Sequence, residues 1–149
     1  MPGRAPHPTR DPQGHSYGAR GENVGTFEPG SWARNECFLF AVDLLNHGYW
    51  WEAHEALEAL WVAAGRHTPE GYFLQGLIQL GVAMLKRHQH MQGAARRLAS
   101  DGLAKIAAVP NGFMGIDQAD VRAQVARCLA DDAVPALQVR LAGAATHER

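Results

Sequence analysis

Apolar residues along this chain fall into blocks with helical spacing, separated by short polar or glycine-containing breaks. From Ser31 onwards Phe38, Ala41 and Leu45, joined by Cys37 and Leu44, recur three or four residues apart, the period that gives a helix one apolar face. Ser31 reads as the cap of a helix that begins at Trp32. Asn46-His47-Gly48 interrupts the block, and a second helix is expected from about Tyr49 to Ala64, ended by Gly65. So short a break predicts an antiparallel, tetratricopeptide-like hairpin, although no later pair repeats it. Thr68-Pro69 then combines a capping hydroxyl with a proline at the first helical position. The third helix is expected to reach about His88. Phe73, Leu74, Leu77, Ile78, Leu80, Val82, Met84 and Leu85 surround it nearly completely, which places it at the centre of the fold. Gly76, Gly81 and Ala83 predict close approach by its neighbours.

A fourth helix is expected over Met91 to Val109, with Leu98 and Ile106 inward, closed by Pro110 and Asn111-Gly112. Asp117 is expected to cap a fifth, whose Val121, Val125, Cys128 and Leu129 form one stripe before Pro135. Leu137, Val139 and Leu141 alternate without defining an element. The fold class is therefore all-α: one compact bundle of about five helices over residues 31–132. A tail, 1–30, precedes it, and an extension, 133–149, read as partly disordered, follows. The tail holds Pro2, Pro6, Pro8, Pro12 and Pro29 with six glycines, against Tyr17, Val24 and Phe27 as its only large apolar residues after Met1. That is too little apolar surface to offset ordering entropy, with Phe27 the residue expected to dock on the domain.

Composition narrows the function classes. Of 149 residues, 46% are apolar and 19% charged, enough for a core without disulfides or metal. A net charge of −1 gives no electrostatic pull towards nucleic acid or an anionic membrane. Cys37 and Cys128 lack any CxxC or metal-type spacing and read as reduced, buried thiols. The longest apolar stretch, Gly76 to Leu85, is interrupted by Gln79 and stopped by Lys86, too short for a bilayer. No apolar leader follows Met1. A soluble, cytoplasmic protein is expected. The chain has no P-loop, GxGxxG or nucleophilic serine or cysteine motif, and no cofactor is expected. His7, His15, His47, His67 and His147 read as solvated, as do Arg96 and Arg97.

The candidate chemistry sits on two adjacent helices. On the second, Trp50, His54, Leu57 and Trp61 share one side, with Trp51 and Glu58 at its edge and Glu55 and Glu52 further round. His54 and Glu58, four apart, stack on one face. Buried charge is costly unless paired, so polar partners are expected opposite. Gln75 and Gln79, with Lys86 near the same line, are the only polar stripe on the third helix. The two stripes are expected to face each other as a partly buried cluster.

The run Asn46-His47-Gly48-Tyr49-Trp50-Trp51-Glu52-Ala53-His54-Glu55-Ala56-Leu57-Glu58-Ala59-Leu60-Trp61 resembles the signature of domain-of-unknown-function family 309. So do Phe73-Leu74-Gln75-Gly76-Leu77-Ile78-Gln79-Leu80 and Gly115-Ile116-Asp117. The resemblance spans roughly Cys37 to Leu129. It implies a compact helical bundle and no established activity. It places the family's glutamate–histidine–glutamate pattern on Glu52, His54, Glu55 and Glu58, and its glutamines on Gln75 and Gln79. Where family members often carry a histidine late in the third helix, this chain reads Leu85-Lys86-Arg87-His88.

Three readings of the cluster follow. It fixes the register of two helices, as buried polar networks do. It lines a pocket or groove for a small molecule or a protein partner. Or His54 and Glu58 ligate a metal and Glu55 acts as base, an arrangement similar to the zincin helix with glutamate for its second histidine. The last lacks a visible third ligand, so no metal site is assigned and a non-enzymatic role is favoured. Deleting residues 1–30 is expected to leave the melting temperature within about 2 °C of the full chain's, since so small a shift is well under 1 kcal/mol for a domain of this size; a fall of many degrees would move the domain boundary.

Overall fold

A computed structural model describes residues 27–143. Expectations for Tyr17, Val24, His7, His15 and His147 lie outside the described residues. Five α-helices follow in order: α1 (Glu36–Asn46), α2 (Trp50–Ala64), α3 (Pro69–His88), α4 (Gln92–Ile106) and α5 (Gln118–Ala130). Short 3-10 helices cover Pro29–Arg34 and Phe113–Gly115. Among the described residues the only β pairing is an isolated antiparallel bridge between Ile116 and Leu141. None of these helices is long and apolar enough to cross a membrane.

Helix α1 starts later than its sequence pattern predicts. Ser31 lies inside the 3-10 helix, and Asn35 is the cap, its Oδ1 accepting from the Phe38 N–H at 2.9 Å. Asn35 offers the same capping chemistry four residues on, and Trp32 is used elsewhere. Its ring stands edge-on to Phe38 at 6.4 Å and lies where any side chain on Gly115 would have to go. Phe27 is partly buried against the same core.

The other helix boundaries follow the local chemistry. Gly48 at φ +83° turns the chain from α1 into α2. Thr68 Oγ1 accepts from the Gly71 N–H at 3.0 Å and lies 2.9 Å from the Ala64 carbonyl, so one side chain ends α2 and starts α3. Asp117 caps α5, accepting from the Asp120 N–H. Helix α4 stops at Ile106, short of Val109.

Helix α3 is the hub. Phe73, Leu74, Leu77, Leu80, Ala83 and Met84 are buried on it. Against α4 the approach is close enough to exclude a methyl group: a Cβ on Gly76 would stand 2.9 Å from the Gly102 carbonyl oxygen, and one on Gly102 would stand 2.8 Å from that of Gly76. Helices α2 and α4 both pack on α3 but not substantially on each other. Gln75, Gln79, Val82 and Lys86 form a half-buried stripe along α3.

After α5 the chain returns across the bundle in extended form. Leu137 and Val139, whose alternation defined no element, are buried in the core. Asn46 pairs with the backbone of Val139 in both directions, at 2.8 and 2.7 Å, and Gln124 does the same at Gln138. Arg87, in the last turn of α3, is the clasp: its Nη2 donates to the carbonyls of Asp131, Asp132 and Val134 at 3.1, 3.2 and 2.6 Å. Arg96, expected to be merely solvated, donates to the Leu129 carbonyl at 3.1 Å. Hydrogen bonds from a charged donor contribute about 1.5–3 kcal/mol each when buried, and these three share one nitrogen. Arg87→Met is therefore expected to lower stability by about 2–3 kcal/mol, read by urea denaturation. It should also speed amide exchange over residues 134–141.

Candidate functional site

Helices α2 and α3 run antiparallel from the turn between Ala64 and Pro69, and at the far end the Trp50 and His88 rings meet at 5.6 Å. The two ends do not count alike: Trp50 lies fourteen residues back from Ala64 and His88 nineteen on from Pro69. No hydrogen bond joins His54 or Glu58 to Gln75 or Gln79, so the two polar stripes lie on adjacent helices without pairing. Against α4 the register is fixed by the contact of Gly76 with Gly102. Asp101 shares its side of α4 with Lys105, four residues on, whose Nζ lies 5.6 Å from the centre of the Tyr72 ring.

His54 and Glu58 come together, with Nε2 and Oε2 3.9 Å apart. That is an ion-pair distance, too long for a hydrogen bond. The expectation of a partly buried pair holds best for His54, whose side chain is 21% exposed, while that of Glu58 is 50% exposed. Trp51 is also 50% exposed and stacks on the imidazole, ring centres 4.7 Å apart. Of the three tryptophans on α2 only Trp50 is a core residue. Trp61 is partly buried, with the Arg66 guanidinium 5.0 Å above its ring. Glu52 and Glu55 are half-buried on the same helix and engaged in further contacts. Lys86 lies seven residues beyond Gln79, about 10 Å further along α3.

What marks these helices is the state of their polar atoms. Trp50 Nε1, His54 Nδ1, Trp61 Nε1, Gln79 Oε1 and Arg87 Nε are buried without a hydrogen-bond partner. All five lie on α2 and α3. Elsewhere buried polar side chains are satisfied: Gln118 donates to the carbonyls of Val109 and Pro110, and Gln124 pairs with Gln138. An unpaired buried group costs about 1–3 kcal/mol. Trp50 and Trp61 are eleven residues apart, about 16 Å along the helix, so no small group reaches every one of these atoms. His54 Nδ1 and Gln79 Oε1 lie on two helices that pack together, each without a partner.

The metal reading loses ground on geometry. Among the described residues no three His, Cys, Asp or Glu side chains gather as a metal site. The two thiols are also poor nucleophiles. Burial pushes Cys37 up, with Glu36 adding to it, and burial pushes Cys128 up against the lowering effect of nearby arginines. Sequence reasoning missed Arg87, Gln118 and Gln124, whose partners are backbone carbonyls or amides distant in the chain.

Residues 38–98 match the family model described as Domain of unknown function (DUF309). The DUF309 span runs from α1 into α4 and contains every candidate residue on α2 and α3. It ends before Gly115-Ile116-Asp117, so the resemblance extending to Leu129 is matched only in its first part. No curated protein matches the chain.

If Gln79 Oε1 is unpaired at a structural cost, removing it should help the fold. Gln79→Leu is expected to raise stability by about 1 kcal/mol in chemical denaturation. A loss of that size would instead show that Gln79 holds the helices in register.

Proposed function

We propose that this protein is a binding domain, and that the polar residues of α2 and α3, His54 and Gln79 among them, serve a small polar molecule. The observation that carries the reading is that all five unpaired buried polar atoms among the described residues lie on two helices, α2 and α3, inside the stretch that matches DUF309. A core built only for stability gains from apolar residues there, whereas a binding site commonly retains such conflicts and relieves them on occupation. The aromatic surroundings and the few polar groups are the composition of a small-molecule site. Two unpaired cysteines and a near-zero net charge support a cytoplasmic setting without a nucleic-acid partner.

The test is native mass spectrometry of the purified chain against its mass after denaturation, with a thermal-shift screen of small polar metabolites. The expected result is an adduct lost on denaturation, or a ligand that raises the melting temperature, absent in His54→Ala. Equal native and denatured masses together with no thermal response to any metabolite would overturn the reading.

A further inference from the structure

The chain after α5 sits on the bundle as a peptide sits on its receptor. Residues 134–141 run extended over a cleft that holds them in two ways. Leu137 and Val139 enter the core and are 0% and 4% exposed, while Gln138 and Arg140, the alternate positions, face solvent. The backbone is held by side-chain amides. Asn46 donates to the Val139 carbonyl at 2.8 Å and accepts from the Val139 N–H at 2.7 Å. Gln124 donates to the Gln138 carbonyl at 2.8 Å and accepts from the Gln138 N–H at 2.9 Å. Both polar backbone groups of two successive residues are thus satisfied by α1 and α5, and none by the segment itself. Such a cleft suits any extended segment with apolar side chains two residues apart.

What keeps the chain's own segment there is a short connection. Helix α5 ends at Ala130, and Asp131, Asp132 and Ala133, all exposed, turn the chain back. The Asp131 carboxylate tightens this turn by accepting from the Ala133 N–H at 2.9 Å. So short a tether gives the segment a high effective concentration at its cleft, and a separate peptide competes poorly against it. A second copy of the chain competes on different terms. When two copies exchange segments, the contacts of residues 135–141 are made again in each, and only the turn is altered. The turn therefore sets the balance, and Arg87 holds the turn. Its Nη2 donates to the carbonyls of Asp131, Asp132 and Val134. The hold is incomplete, because Arg87 is 9% exposed and its Nε is buried without a partner, a cost that the closed turn carries. We propose that residues 134–141 exchange between two copies of this chain, each filling the other's cleft, and that Arg87 is the latch that favours the closed, single-chain arrangement.

The experiment holds the full chain at high concentration just below its melting temperature, then cools, dilutes and sizes it by light scattering. The expected result is a dimer that survives dilution in the cold and reverts to monomer on rewarming, since exchange requires the segment to leave its cleft. In dimers formed from isotope-labelled and unlabelled chains, isotope-filtered NMR should show Asn46 touching Val139 of the other chain. Arg87→Met should raise the association constant about tenfold or more, because each dimer is relieved of two latched turns. Inserting Gly-Ser-Gly after Asp132 should lower it, since a longer turn closes more easily within one chain. Monomer alone in both the parent and Arg87→Met would overturn the proposal. So would a dimer whose Asn46–Val139 contacts lie within each chain, or one that Arg87→Met weakens. Should Arg87→Met fail to fold, the insertion decides: a variant that dimerises as readily as the parent would refute exchange through this turn.

Discussion

The contact between Gly76 and Gly102 sets the geometry on which the rest of this bundle depends. With neither residue carrying a side chain, the backbones of α3 and α4 come together at a separation that a single Cβ would forbid. That closeness locks one side of α3 and brings Leu80 of α3 against the backbone of α4 at Gly102. Helix α2 packs on the same central helix. The polar stripe of α3 is half-buried beside these contacts.

Helix α3 divides its faces. The apolar ones supply what holds the domain together. The remaining face carries Gln75 and Gln79, both half-buried. Helix α2 divides in the same way, with Leu57 and Leu60 inward and Glu58 and Trp51 half exposed.

Much of this was legible in the sequence, and the failures are as informative as the successes. Helices α2 and α3 were readable because Gly48, Gly65, Thr68 and Pro69 act locally, through backbone conformation and capping within a few residues. The start of α1 was misread because Ser31 and Asn35 compete as caps on nearly equal local terms. The winner was chosen by Trp32, whose position depends on Gly115 more than eighty residues away. The alternation of Leu137 and Val139 was visible but had no strand to join. Its partners are the side chains of Asn46 and Gln124, which no periodicity reveals. The spacing of His54 and Glu58 placed them on one face correctly, yet could not say how far Glu58 would turn to solvent. The unpaired atoms were wholly invisible, since being without a partner is a property of the packed chain.

The clasp formed by Arg87 has a consequence for how the molecule is made. The carbonyls that Arg87 holds, and the Leu137 and Val139 side chains that finish the core, belong to the last part of the described chain. A chain still being synthesised therefore has α1 to α4 in hand while one wall of the core is missing and an arginine faces its interior without acceptors. Domains generally fold as units during synthesis, and exposed apolar surface before completion invites aggregation. The interval between the emergence of α4 and that of residue 139 is the time in which this protein is most exposed to chaperones and proteases, and any slowing of translation there would lengthen it.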